Sequence, residues 1–113
     1  MMDLNFTTGS VQYEKFELHG ALTPLDNAVL ALFWSGEKPV LGTLTVTLPD
    51  KTSSPLIGER DSQVALVIGS QIAVKTGKMA LVSVNLPGEL GLGAGRLLMG
   101  LVQDLLDRLE ENL

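Results

Sequence analysis

The sequence predicts an α+β fold: a small, mostly antiparallel sheet with two helices packed on one of its faces. Three observations lead there. Apolar stretches of strand length recur between turn residues from residue 11 to residue 48. Two longer stretches, residues 62–76 and 93–111, space their apolar residues as helices do. A further strand-like run, residues 79–86, lies between those helices, so the order along the chain reads β-β-β-α-β-α.

Residues 1–10 read as an N-terminal extension or a short edge segment, and residues 11–113 as the domain proper. In residues 11–19, Val11, Tyr13, Phe16 and Leu18 stand among polar neighbours at a period near two. That predicts a half-buried strand with a bulge or phase slip at Glu14 and Lys15. Gly20, Pro24, Asp26 and Asn27 predict a turn. Residues 28–34 are a continuous apolar run, and residues 35–39 the next turn. Residues 41–48, LGTLTVTL, put threonine on one face and Leu or Val on the other, which suits a pleated sheet. Residues 49–55, PDKTSSP, are a loop by composition.

Asp61 or Ser62 caps a helix that runs to about Thr76, with Val64, Ala65, Ile68, Ile72 and Ala73 near helical spacing. Gly69 costs this helix ~1 kcal/mol relative to Ala, unless it permits a close approach by another element. Gly77 is the expected left-handed cap, and Lys75 complements the dipole in the last turn. Residues 79–86, MALVSVNL, form a strand that Pro87 and Gly88 end. In residues 93–111, Leu97, Leu98, Leu101, Leu105 and Leu109 make one broad stripe, with Val102 and Leu106 beside it. Asp104 and Arg108 are four apart and pair, worth about 0.3 kcal/mol.

Residues 28–34 are apolar at nearly every position and residues 79–86 at most of them, the pattern of strands buried on both faces. Two helices packed on one face leave the other uncovered, so a dimer is expected. The outward side chains of these strands, among them Leu30, Leu32, Val82 and Val84, are the interface candidates. Phe33 and Trp34 are the candidate anchors, since large aromatics often carry interfaces. Either alternate set of side chains fits the text as the outward one, and core packing fits both aromatics equally well.

Composition excludes several function classes. The chain has 113 residues, 45% of them hydrophobic and 19% charged, which is ordinary globular content. With no cysteine there is no disulfide, thiolate zinc site, iron–sulfur cluster or cysteine nucleophile. One histidine, His19, cannot supply a multi-histidine metal site. A net charge of −5 argues against a dedicated nucleic-acid binder. No apolar run approaches the roughly 20 residues that span a bilayer. The start MMDLNFTTGS carries Asp3 and no basic residue, so no secretory signal is read and a cytoplasmic location is expected. The sequon at Asn5, Phe6 and Thr7 then has no role.

No candidate site carries an enzyme's chemistry. GELGLGAGRLLMG, residues 88–100, sits between a strand and a helix, where a phosphate loop would sit. Its Gly91, Gly93 and Gly95 match neither the dinucleotide nor the P-loop spacing, so a close strand–helix connection is the better reading. His19 has Glu17, Asp26 and Ser35 in the sequence but no spacing that places them beside it, so it reads as a surface or rim histidine. Glu59 and Asp61 read as helix-start acids rather than a metal pair. Lys75, Lys78 and Arg96 are the basic residues nearest one another in the fold order, for an acidic partner or a solvated face. No cofactor is implied.

Residues 55–58 (PLIG), the turn Lys75, Thr76, Gly77 and Lys78, the strand end Ser83, Val84, Asn85 and Leu86, and the closing amphipathic helix resemble the proteasome assembly chaperone 4 family. In that family a Leu-Gly step precedes the first helix, and a Lys-Thr-Asn/Gly-Lys turn ends it. A strand closing in Ser-x-Asn-Leu follows. A looser match upstream, through Phe16 to Leu22 and the strand ending near Trp34, Ser35 and Gly36, extends the likeness over about residues 11–111. The resemblance implies a small non-catalytic chaperone with a sheet and two helices. Such a chaperone pairs with a related chaperone or with itself, and holds α-type subunits while the 20S proteasome ring assembles. It implies no catalytic residue, metal or cofactor. The glycine-rich residues 87–95 depart from the family pattern. A roadblock-like dimeric scaffold or regulator of small GTPases is the alternative, although those domains begin with a helix and this chain with strands. An enzyme subunit or small-molecule binder would need an apolar pocket with convergent polar groups.

Overall fold

A computed structural model describes residues 4–87 and 92–111. Along the chain run β1 (Thr7–Tyr13), β2 (Phe16–Pro24), β3 (Ala28–Ser35), β4 (Thr43–Thr47), β5 (Ser53–Ile57), α1 (Ser62–Thr76), β6 (Met79–Asn85) and α2 (Leu92–Glu111). The six strands form one sheet in the order β1-β2-β3-β6-β4-β5. Only the β3–β6 pair is parallel. The fold is therefore α+β, with a mostly antiparallel, mixed sheet. Both helices pack on the same side of it: α1 over β4, β6 and β5, and α2 over β1 and β2.

Several of the sequence expectations are corrected. The single strand expected over residues 11–19 is a hairpin. Tyr13 pairs with Phe16, and Glu14 takes φ 54 in the two-residue turn between them. β1 begins at Thr7, so the strand runs across the boundary drawn at residue 10. The turn expected from Gly20 onward begins only after Pro24. Gly20 lies within β2, paired with Phe33, and is glycine there because a Cβ would meet the Phe33 ring at 2.8 Å. Residues 49–55 are a loop only at first: Lys51 turns the chain at φ 74 and β5 follows. Pro55 is tolerated because an edge strand can spare an N–H. Finally, β3 and β4 do not meet. Strands consecutive along a chain are commonly neighbours in a sheet, but here β6 enters between the two after crossing over through α1.

The helices match their expected spans closely. α1 ends at Gly77, which takes φ 70 and donates its N–H to the Ala73 carbonyl at 2.9 Å. At the other end, Asp61 holds the N-cap position but its side chain makes no cap bond. Its carboxylate instead accepts the Leu86 N–H at 3.3 Å, and Arg60 donates to the Leu86 carbonyl. The start of α1 is thereby tied to the end of β6. In α2, Leu98, Leu101, Val102, Leu105, Leu106 and Leu109 are buried, while Leu97 is 36% exposed. Asp104 and Arg108 pair at 3.2 Å, and Arg108 also donates to the Thr8 carbonyl of edge strand β1.

The core lies between sheet and helices. Leu18 and Leu22 of β2, Val29, Ala31 and Phe33 of β3, and Ala80, Val82 and Val84 of β6 meet Ile68, Ile72, Leu98 and Leu105. Each large side chain buried there contributes roughly 1.5–3 kcal/mol relative to exposure. On β4 the inward residues are the threonines: Thr43, Thr45 and Thr47 are all buried. Leu44 and Val46 point the other way.

Candidate interaction surface

The strand registers place a second apolar layer on the side of the sheet away from the helices. Thr23, Leu30, Leu81, Val46 and Ser54 line up across β2, β3, β6, β4 and β5. Beside that row run Ala21, Leu32, Ser83, Leu44 and Ile57. A third row holds Ser10, His19, Trp34 and Asn85. Leu30, Leu32, Leu44, Val46 and Leu81 are half-buried and Ile57 is 57% exposed, while Thr23 and Ser83 are buried where they bond to Asn5 and Gly42 at the margins. No described element covers these aliphatic side chains. The middle of this face is apolar and uncharged, whereas its β1–β2 end carries Thr8, Ser10, Gln12, Glu17 and His19. An apolar centre bounded by a polar side is how protein interfaces are composed.

The interface candidates divide cleanly. Leu30, Leu32 and Trp34 lie on the open face. Phe33, Val82 and Val84 lie under the helices with no exposure, so they are core residues and leave the candidate set. Leu44, Val46 and Leu81 join it. Their signal was present in the alternation of residues 43–47 and 79–85, but alternation alone does not say which side is inward.

Trp34 and His19 stack with ring centroids 5.5 Å apart and planes at 27°. His19 Nε2 lies 3.4 Å from the Glu17 carboxylate. No hydrogen bond joins His19 to a hydroxyl among the described residues, so no nucleophile–base pair forms there. The concavity next to it, about 530 Å³, is wide-mouthed and lined by Lys15, Phe16, Glu17, His19, Ser35, Gly36 and Glu37. Its lining mixes polar and apolar groups and it opens broadly to solvent.

The other chemical candidates separate in the same way. Among the described residues no three His, Cys, Asp or Glu side chains come together to hold a metal ion. Lys75 pairs with Glu110 at 3.6 Å, Lys78 donates to the Leu25 carbonyl at 2.8 Å, and Arg96 pairs with no described carboxylate. Lys75 and Lys78 line one concavity with Glu110, whereas Arg96 lines another, so the three do not form one patch. Residues 88–91 of the glycine-rich segment lie outside the described residues. Gly93, Gly95 and Gly100 are in α2, where Gly93 lies against Tyr13. Among the described residues no helix is long and apolar enough to cross a membrane.

No family model matches this chain, and no curated protein matches it. Among solved structures the chain is similar to one in a crystal structure of a chaperone complex for yeast 20S proteasome assembly. The TM-score is 0.68 at 15% sequence identity, and the alignment covers 97% of this chain and 98% of that one. The two chains thus share a fold from end to end.

Proposed function

We propose that this protein is a non-catalytic chaperone that pairs through the open face of its sheet and holds α-type subunits during assembly of the 20S proteasome ring. The observation that carries the reading is the uncovered apolar sheet face, borne on a fold shared end to end with a proteasome-assembly chaperone. The resemblance of residues 55–86 to the proteasome assembly chaperone 4 family points the same way. The arrangement has the properties of a docking module: a sheet with an apolar centre and, among the described residues, no cluster of groups that could do covalent or acid–base work. The pairing partner is a second copy of this chain or a related chaperone of the same fold. Leu30, Leu32, Leu44, Val46 and Leu81 form the centre of the contact, with Trp34 as its aromatic anchor. The place of work is the cytoplasm.

Affinity capture of the tagged protein from its own host, with mass spectrometry of what it retains, tests the reading. Free α-type proteasome subunits without mature β-type subunits are the expected result. Small GTPases, or no proteasome component under mild lysis, would overturn it. Analytical ultracentrifugation of the protein alone at micromolar concentration tests the self-pairing version, which a purely monomeric result rejects.

A further inference from the structure

α1 is uncharged on its outer side, where Val67 and Val74 stand among Gln63, Ser70 and Gln71. From Ser62 to Val74 it contains no charged residue. Ala65, Ile68, Ile72 and Ala73 are buried against the sheet, yet Val67 is 46% and Val74 60% exposed. A helix without a charged face is normally covered on all sides. α2 continues this surface. Val64 lies beside Gly95, the Gln71 side-chain amide donates to the Met99 carbonyl at 3.1 Å, and Lys75 reaches Glu110. The two helices therefore run in the same direction. Between their first halves is a groove of about 350 Å³ lined by Gln63, Val64, Val67, Gly95, Arg96 and Met99. Met99 is 41% exposed, and Gly95 keeps the α2 side low.

The charge around this groove selects its occupant. Arg96 is the one charged residue lining it and pairs with no described carboxylate. The acids of α2, Asp104, Asp107, Glu110 and Glu111, all lie in its second half, where Lys75 and Glu110 close the seam. Both helix N-termini point to the Arg96 end, and Asp61 at the start of α1 is paired with Arg60 at 3.5 Å. An apolar segment with a carboxylate at that end is complementary in both shape and charge.

We infer that the outer side of α1, with the groove beside Arg96, is a second docking surface, distinct from the open sheet face. It receives an apolar segment, bearing a carboxylate, of the subunit that the chaperone holds. This rests on the function proposed above. The division of labour follows from the geometry: the sheet face pairs the chaperone, and the opposite, helical side is left free for its client.

The test uses the full chain and recombinant α-type subunits from the same host, presented one at a time in a surface-binding assay. The variants are Val67→Glu, Val74→Glu and Arg96→Glu, with Lys38→Glu as a distant control. All four positions are exposed, and thermal melts check that each variant is folded. Val67→Glu and Arg96→Glu should each weaken binding to the recognised subunit about tenfold or more, with sedimentation and the control unchanged. Undiminished binding in both would overturn the second surface and leave the proposed function standing. A shift of these variants from dimer to monomer would instead mark the groove as a self-contact and also reject the inference. Wild-type protein that binds no α-type subunit would reject the proposed function, and the assigned occupant with it.

Discussion

Gly69 of α1 lies directly on Thr47 of β4: a Cβ at Gly69 would stand 2.5 Å from the Thr47 hydroxyl oxygen. The helix keeps a residue of poor propensity at its middle because that is where it comes closest to the sheet. Gly69→Ala should gain about 1 kcal/mol in helix propensity and lose more to overpacking, for a net destabilisation of roughly 1–3 kcal/mol. Urea unfolding measures it. In a double-mutant cycle with Thr47→Ala, the pair should be less destabilised than the sum of the single changes.

Thr45 lies one pleat further along the same strand, fully buried, and its hydroxyl has no hydrogen-bond partner. Valine has nearly the same shape and no polar group to desolvate. Thr45→Val should therefore raise stability by about 1 kcal/mol, seen as a higher denaturation midpoint with an unchanged slope. A loss of stability would mean that the hydroxyl is satisfied in solution.

Leu81 is at the centre of the open face, between Leu30 and Val46. Leu81→Glu puts a charge where the proposed contact is driest, and should weaken pairing about thirtyfold or more. Sedimentation equilibrium reads this directly. Trp34, the single tryptophan, sits on the same face and gives a second readout. Its emission should shift on dilution of the wild type and stay constant on dilution of the variant.

Asp61 joins two elements rather than capping one. Removing its carboxylate leaves the Leu86 N–H without its acceptor and the Arg60 guanidinium without its 3.5 Å partner. Asp61→Ala should cost about 1–2 kcal/mol. Hydrogen exchange should quicken at Leu86 and the first turn of α1 more than in α2.

Asp50 holds the β4–β5 turn by accepting the Thr52 N–H at 2.8 Å. That bond, followed by the Thr52 hydroxyl, lowers its pKa below the ordinary 3.8. A carboxylate whose folded pKa is depressed adds stability that is fully present above the unfolded value. That stability disappears as pH falls through the lower, folded one. The melting temperature of Asp50→Ala should thus lie slightly below wild type near neutral pH and converge on it in strong acid. A gap that persists in strong acid would remove the carboxylate as its cause.

The elements that could be read from the text are those whose local pattern has one physical solution. The capped, periodic stretch ending at Gly77 can only be a helix with a left-handed stop, and the leucine stripe from Leu98 to Leu109 needs one apolar face to cover it. The elements whose local pattern misleads depend on distant neighbours. Gly20 resembles a turn residue until the Phe33 ring is seen to occupy its side-chain space. Residues 53–55 carry loop composition and yet begin a strand because β4 offers them an edge. At the candidate surface, Leu30, Leu32 and Trp34 were legible as half of an alternation. Phe33, Val82 and Val84 belong to the other half and lie in the core.

The sequence by itself determined the α+β class, the two helices, the surplus of apolar strand and the poverty of chemical groups. These follow from residue type and period, which act over a few residues. The tertiary structure alone decided that β6 lies between β3 and β4, and that β4 buries its threonines rather than Leu44 and Val46. A strand satisfies its own backbone geometry equally well with either face inward. Only the approach of α1, close enough at Gly69 to demand small residues beneath it, selects the threonine side and leaves the aliphatic side open.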